Sequence, residues 1–309
     1  VRGMHARKIM LLIALMVAIV LSAVYTPEAL ANMGVKIAVE YNIHPLAAFI
    51  AMEKGIFAKN GVYIGSFKVY RTGLQITSAL VRGDADAAFI CLSPAILAYA
   101  RGAKIKIVCL THLYGYALVA SPRIEKVRDL NGELVGTMKM GSPLDLLYQM
   151  VKRKYGLIVR LRRMSPLRQL IALERGDLKA AFLSEPFAAM AVEKGFHYLL
   201  KAKDIWPGMN GSVLVARENY IRKYPKVIKG LVKSLKDANA LIHENPLEAA
   251  RCAQKYIGVP AKTVVKALNN IVYTTELNQV QLEKTVFLMK KLGYIPRNLE
   301  VDKLLLKEN

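Results

Sequence analysis

From position 35 onward, short apolar runs rich in β-branched residues alternate with longer stretches whose apolar positions recur at helical spacing. "VKIAVEY" (35–41) reads as a strand. "HPLAAFIAMEKGIFAKNG" (44–61) reads as a helix, with Pro45 at a permitted first-turn position and Gly55 and Gly61 punctuating its end. The alternation continues through strand "VYIGSFKVY", helix "GLQITSALVRG", strand "AAFICL", helix "SPAILAYARG" and strand "KIKIVCL". After "YALVAS" it restarts as strand "LVGTMKM", helix "SPLDLLYQMVKRKYG", strand "LIVRLRRM", helix "SPLRQLIALERG", strand "AAFLS" and helix "EPFAAMAVEKG". From Tyr220 the chain reads as helices broken at Pro225, Pro246 and Pro260. Strand alternating with helix on short connections predicts parallel sheets covered on both faces.

One unit occurs twice. "ALVRGDADAAFICLSPAILAYARG" (79–102) returns in altered form as "ALERGDLKAAFLSEPFAAMAVEKG" (172–195), an offset far longer than a solenoid repeat. In each copy a helix ends at Arg-Gly-Asp, with Gly83 or Gly176 as C-cap and Asp84 or Asp177 opening the turn. Ala-Ala-Phe then enters a buried strand and a Pro opens the next helix. The expected fold is therefore α/β, with two similar lobes of mainly parallel sheet joined by a hinge and followed by a helical C-terminal region. Open α/β sheets bind ligands outside the carboxyl ends of their strands, so the site belongs in the cleft between the lobes.

The beginning of the chain adds a location. Arg2, Arg7 and Lys8 precede an apolar run from Ile9 to Val24, then Pro27 and Ala29-Leu30-Ala31. These are the parts of a secretory signal peptide over residues 1–31, predicting export to the periplasmic or extracellular face of the cell membrane. Kept uncleaved, the same segment would tie the protein to the membrane. The net charge of +22 raises the question of nucleic acid, but the positives are scattered along helices (Lys226, Lys229, Lys233, Lys236) and form no aromatic-interleaved stripe. No nucleic-acid partner is expected. The three cysteines, Cys91, Cys109 and Cys252, lack both Cys-x-x-Cys and Cys/His ligand spacing, so they read as buried thiols and no metal or cofactor is expected.

Candidate ligand contacts sit after the strands. Asn42 and His44 follow the first; Tyr70, Arg71 and Thr72 follow the second, where Arg71 can fork onto a carboxylate, sulfonate or phosphate. Ser93, before Pro94, reads as an N-cap at the cleft, and Thr111 and Tyr114 lie on the hinge side. Gly141-Ser142-Pro143 opens a helix with Ser142 as N-cap and Asp145 as its capping-box partner, leaving free N–H groups for an anion. No Ser-His-Asp, metal or paired-carboxylate spacing appears, so no catalytic residues are assigned and the protein reads as no enzyme.

The motif order from about 35 to 200 resembles a known family. "HPLAAFIAMEKGIFAKNGV", "ALVRGDADAAF", the helix from Pro94 to Gly102, "LVASPRIEKVRDLNGELVGTMKMGS" and "ALERGDLKAAFLSEP" are similar to the nitrate/sulfonate/taurine and thiamine-precursor type of ABC-transporter substrate-binding proteins. That resemblance implies a type II periplasmic-binding-protein fold: lobe one over 35–114 with 212–309 returning to it, lobe two over 115–211, and a hinge near Gly115 and Gly211. It also implies capture of a small anionic solute, organic or inorganic, by lobe closure, with permease subunits as partners. Glu185 matches a cleft-lining position of the family and would suit an ammonium or amino-pyrimidine group. The alternative is an enzyme on the same fold acting on a thiamine-pyrimidine, sulfinate or menaquinone-type substrate. The thiamine-pyrimidine relatives carry a cysteine-rich cluster, whereas these cysteines stand apart.

Overall fold

The computed structural model describes residues 34–306 and the single residue 16; the expected signal segment over 1–31 otherwise lies outside the described residues. Among the described residues no helix is long and apolar enough to cross a membrane.

The first lobe begins with β1 (Val35–Glu40), α1 (Leu46–Glu53), α2 (Ile56–Lys59), β2 (Ile64–Tyr70), α3 (Gly73–Arg82), β3 (Ala87–Cys91), α4 (Leu92–Ala100) and β4 (Ile105–Tyr114). The single helix expected over 44–61 divides in two at Gly55, and its N-cap is Pro45 rather than a residue before it. The second lobe follows with β5 (Tyr116–Ala120), β6 (Leu134–Thr137), α5 (Pro143–Tyr155), β7 (Arg160–Arg163), α6 (Pro166–Glu174), β8 (Ala180–Ser184), α7 (Phe187–Glu193), β9 (His197–Lys201) and α8 (Ala202–Ile205). The chain then returns through β10 (Asn210–Arg217), α9 (Glu218–Lys223), α10 (Pro225–Glu244), α11 (Pro246–Ile257), α12 (Ala261–Leu268), β11 (Ile271–Tyr273) and α13 (Gln279–Lys291). The repeated sequence unit is α3-β3-α4 in one lobe and α6-β8-α7 in the other.

Two sheets result: six strands in the order β11-β4-β10-β3-β1-β2, and five in the order β7-β6-β8-β5-β9. Each is parallel on one side and antiparallel on the other, where mainly parallel sheets were expected. The reason is the route between lobes. β10 comes back from lobe two and enters between β3 and β4 against both, while β5 enters sheet two directly from β4 and runs against β8 and β9.

The lobes share three links. Gly115, between β4 and β5, has φ of +82°, and Tyr114 beside it has +65°, a left-handed pair that turns the chain from one sheet into the other. The stretch from α8 to β10 makes the second. The third departs from the expected return of 212–309 to lobe one. Leu282, Val286 and Met289 of α13 share a buried core with Leu144, Leu147 and Val151 of α5 and with Trp206, whose Nε1 donates to Gln281 Oε1 at 2.6 Å. After α13 the chain comes back to lobe one, where Leu306 N donates to Ile107 O at 2.9 Å. Each large side chain so buried stabilises the fold by roughly 1.5–3 kcal/mol.

Candidate functional site

The cleft is closed over the strand ends. A Cβ placed on Gly141, in lobe two, would lie 2.8 Å from Leu97 of α4 in lobe one, so the two walls touch there. A Cβ placed on Gly73 would lie 3.4 Å from Pro94 Cβ and 3.5 Å from Glu40 Oε1, which places the β2–α3 turn beside the ends of β1 and β3.

On the lobe-one side the strand ends bring together a polar cluster. Glu40 closes β1, His44 follows it in the turn before α1, and Cys91 closes β3; all three are buried. Cys91 Sγ donates to Glu40 Oε2 at 3.1 Å and lies 3.8 Å from His44 Nδ1, while Nδ1 and Glu40 Oε2 are also 3.8 Å apart. Tyr116 donates its hydroxyl to Cys91 Sγ at 3.3 Å, and Ser212 Oγ lies 3.5 Å from His44 Nδ1. His44 Nε2 meets the carbonyl of Gly115, between β4 and β5, at 3.2 Å, and its ring centroid is 4.4 Å from that of His112. Burial opposes the charge on Glu40, but His44 together with the Cys91 thiol and the Asn42 amide outweighs it and holds the carboxyl below its usual range. Burial first, and the Glu40 charge second, push the Cys91 thiol well up, so it is no thiolate nucleophile. Burial likewise pushes His112 well down and keeps it neutral.

Glu185, at the end of β8, is also buried. Its Oε1 accepts from Asn270 Nδ2 at 2.6 Å and from the Tyr198 hydroxyl at 3.0 Å, and its Oε2 accepts from Ala189 N at 3.0 Å. Asn270 immediately precedes β11 of sheet one, so this hydrogen bond spans the lobes. Burial raises the Glu185 carboxyl above its usual value despite those three donors.

The remaining sequence candidates take varied places. Ser142 caps α5, accepting from Asp145 N at 3.2 Å, as its spacing predicted. Asp145 Oδ2 reaches Gly141 N instead of the cap residue, and its other partners are Arg163 Nη1 (2.7 Å) and the Tyr294 hydroxyl (2.5 Å). Thr72 caps α3, accepting from Gln75 N at 3.3 Å. Ser93 is not the N-cap expected of it: α4 starts at Leu92 with Cys91 as N-cap, because β3 runs straight into the helix. The Ser93 hydroxyl is consequently buried with no partner among the described residues, as are Thr111 Oγ1 and, at the end of β6, Thr137 Oγ1. Ser93 and Leu97 are one helical turn apart and share a face. Asn42 accepts from His44 N at 2.9 Å and donates to Glu40 Oε2 at 3.1 Å. Tyr70 pairs with Glu40 across β1 and β2 and is half-buried, whereas Arg71 is exposed. Tyr114 accepts from Gly208 N on its hydroxyl at 3.1 Å, tying the first link to the second.

Sequence reasoning passed over Glu40, Thr137, Tyr116, Ser212 and Asn270. Glu40 and Thr137 do leave a signal: each is the polar residue that closes an apolar strand at its carboxyl end. The others meet the site only through long-range folding.

Residues 28–258 match the NMT1-like family, three quarters of the chain. The chain belongs to that family. This NMT1-like protein is similar to the taurine-binding periplasmic protein of Escherichia coli K12, 26% identical over 220 residues that cover 69% of this chain and 68% of that one. It is 25% identical over 240 residues to the nitrate import ATP-binding protein NrtC of Synechocystis, covering 68% of this chain and 36% of that protein, so it spans about a third of that relative's length. The crystal structure of the periplasmic aliphatic sulphonate binding protein SsuA from Escherichia coli shares its fold with a TM-score of 0.78 at 20% identity, over 88% of this chain and 97% of that one.

Proposed function

We propose that this NMT1-like protein is the extracytoplasmic solute-binding component of an ABC importer, and that it captures a small anionic solute between its lobes. One observation carries the reading: two buried hydroxyls without partners, Ser93 and Thr137, stand at the carboxyl ends of β3 and β6, one on each lobe. An unsatisfied buried donor is costly, so it calls for an acceptor arriving from outside. A sulfonate, nitrate or similar oxyanion supplies several. Contacts to both lobes are also what closure requires, since a ligand shifts an equilibrium only by its differential affinity for the two states. The taurine-, sulphonate- and nitrate-transport names of the relatives support the same solute class and permease partners. The signal-like N-terminal segment and the periplasmic relatives support export.

Within this reading the start of α5 acts on the solute through its dipole alone, because the N–H groups of Gly141 and Ser142, expected to be free for an anion, already donate to Asp145 Oδ2 and Lys139 O. Arg71, Tyr70 and Thr72 form the lobe-one turn beside Glu40, and Thr111 and Tyr114 lie toward the hinge. Glu185 fixes closure through Asn270, and receives an ammonium group if the solute is zwitterionic. The relatives named for solute binding and import support a protein that does not alter its solute, so bound solute is expected to be recovered unchanged. A thermal-shift screen of taurine, an alkanesulfonate, nitrate, bicarbonate and an amino-pyrimidine tests the proposal. A true solute at a hundred times its dissociation constant stabilises by about 2.7 kcal/mol. A flat melting temperature across all five, or a product appearing on incubation, contradicts it.

A further inference from the structure

We infer that Glu40, His44 and Cys91 form a binding site for a zinc-like divalent transition-metal ion on the lobe-one wall of the cleft, beside the Gly115 hinge. The three donor atoms make a compact triangle with sides of 3.1, 3.8 and 3.8 Å. Zinc bonds to sulfur, nitrogen and oxygen in a tetrahedral shell imply edges of about 3.3–3.6 Å, so an ion fits after shifts of a few tenths of an ångström. Thiolate, imidazole and carboxylate together match a borderline-soft ion and would suit calcium or magnesium poorly.

Two further features separate this triangle from an ordinary hydrogen-bonded cluster. The first is the imidazole. His44 Nε2 lies 3.2 Å from the Gly115 carbonyl, which can only accept, so Nε2–H is the donor there and Nδ1 is the ring nitrogen left facing Sγ and Oε2. A backbone carbonyl on the distal nitrogen is the usual outer partner of a metal-bound histidine. The second is the carboxylate. Glu40 Oε2 is held by Asn42 Nδ2 at 3.1 Å, and Oε1 by Cys91 N at 3.3 Å, so its orientation is fixed without the ion. Nitrogen, oxygen and sulfur ligand atoms thus converge in one buried space, where a shared cation takes the place of the thiol proton that bridges Sγ and Glu40 Oε2. Ser212 Oγ, 3.5 Å from Nδ1 and 3.6 Å from Sγ, stands where a fourth ligand or a bound water belongs. On binding, the thiol proton leaves to solvent and the Cys91 thiolate joins the ion. The sequence conceals this set because its members come from two strand ends brought together by β1–β3 pairing.

The site is independent of the solute reading, and each can fail without the other. The test uses tag-free protein stripped with a chelator and titrated with cobalt(II) and then zinc(II) salts alone. The expected result is uptake of one equivalent of cobalt with a thiolate-to-cobalt charge-transfer band, bleached by zinc. Cys91→Ser loses the band, whereas Cys109→Ser and Cys252→Ser, at buried thiols elsewhere, keep it. Asn42→Ala keeps all three donors but frees the carboxylate, and weakens zinc binding about 10- to 100-fold. Absence of stoichiometric uptake by folded parent protein, or a band that survives Cys91→Ser, overturns the proposal. If Cys91→Ser does not fold, Asn42→Ala decides alone, and an unchanged zinc affinity there overturns it.

Discussion

Ser142 and Glu185 each respond to a different kind of physics, one local and one long-range. Ser142 satisfies Asp145 N at the start of α5, so Ser142→Ala costs about 1 kcal/mol in stability whether or not solute is present, read from the shift in urea midpoint. Its role was legible because a cap needs only the residues three positions on. Glu185 was singled out only through the family resemblance, and its partners Asn270 and Tyr198 could not be read at all. Its carboxyl, raised above 4.5 by burial, binds a proton more tightly in the folded than in the unfolded chain. Between those two values the folded state holds more protons, so this group's contribution to stability declines as pH rises through the window. Glu185→Gln has no such titration. Urea unfolding across pH should therefore show the variant gaining stability relative to the parent as pH increases upward from about 4.5. A difference that stays level with pH contradicts this account of Glu185.

Among the elements, α13 is where expectation and structure part most. Its helical pattern was evident, and so was nearly every strand of the two lobes, because apolar periodicity is a local property. Which lobe a helix packs on is decided by distant partners: Leu282 could not be assigned to the α5 face before the chain was seen to cross over. The antiparallel halves of both sheets escaped for the same reason, since strand direction is set by the crossings and not by composition. β11, three residues long and paired with β4, is too short to leave a period. Leu282 is almost fully buried, so Leu282→Ala should destabilise by roughly 2–5 kcal/mol. If α13 were merely laid on the surface, the loss in an equilibrium unfolding experiment would stay below about 1 kcal/mol, within the range of surface substitutions.

At the scale of the whole molecule, a hinge between two lobes must bend where the chain is already unusual. Gly115 is left-handed, and a Cβ there would meet His44 Nε2 at 3.1 Å and His112 Cε1 at 3.2 Å. Gly115→Ala therefore adds both backbone strain, of about 1–2 kcal/mol, and a contact that forces the two histidines apart. Small-angle scattering should register a shift toward the open form, and no change in radius of gyration would place the hinge elsewhere. Closure is further held by Glu193 of α7, which accepts from Thr263 Oγ1 at 2.8 Å and Lys266 Nζ at 2.9 Å on α12. The Lys266 hydrogen bond, against weak opposition from burial, keeps the Glu193 carboxyl below 4.5, so that link persists above that pH and is lost as pH falls through the lowered value.

The claim that solute is gripped from both lobes is met most directly by calorimetric titration of the solute chosen in the thermal-shift screen into the parent, Ser93→Ala and Thr137→Ala. Each substitution removes one unpartnered buried hydroxyl, on opposite lobes, and leaves no internal hydrogen bond broken. The account predicts that both variants bind about tenfold or more weakly, the worth of a hydrogen bond to a charged group at roughly 1.5–3 kcal/mol. A variant on either lobe that binds as tightly as the parent would contradict capture between the lobes.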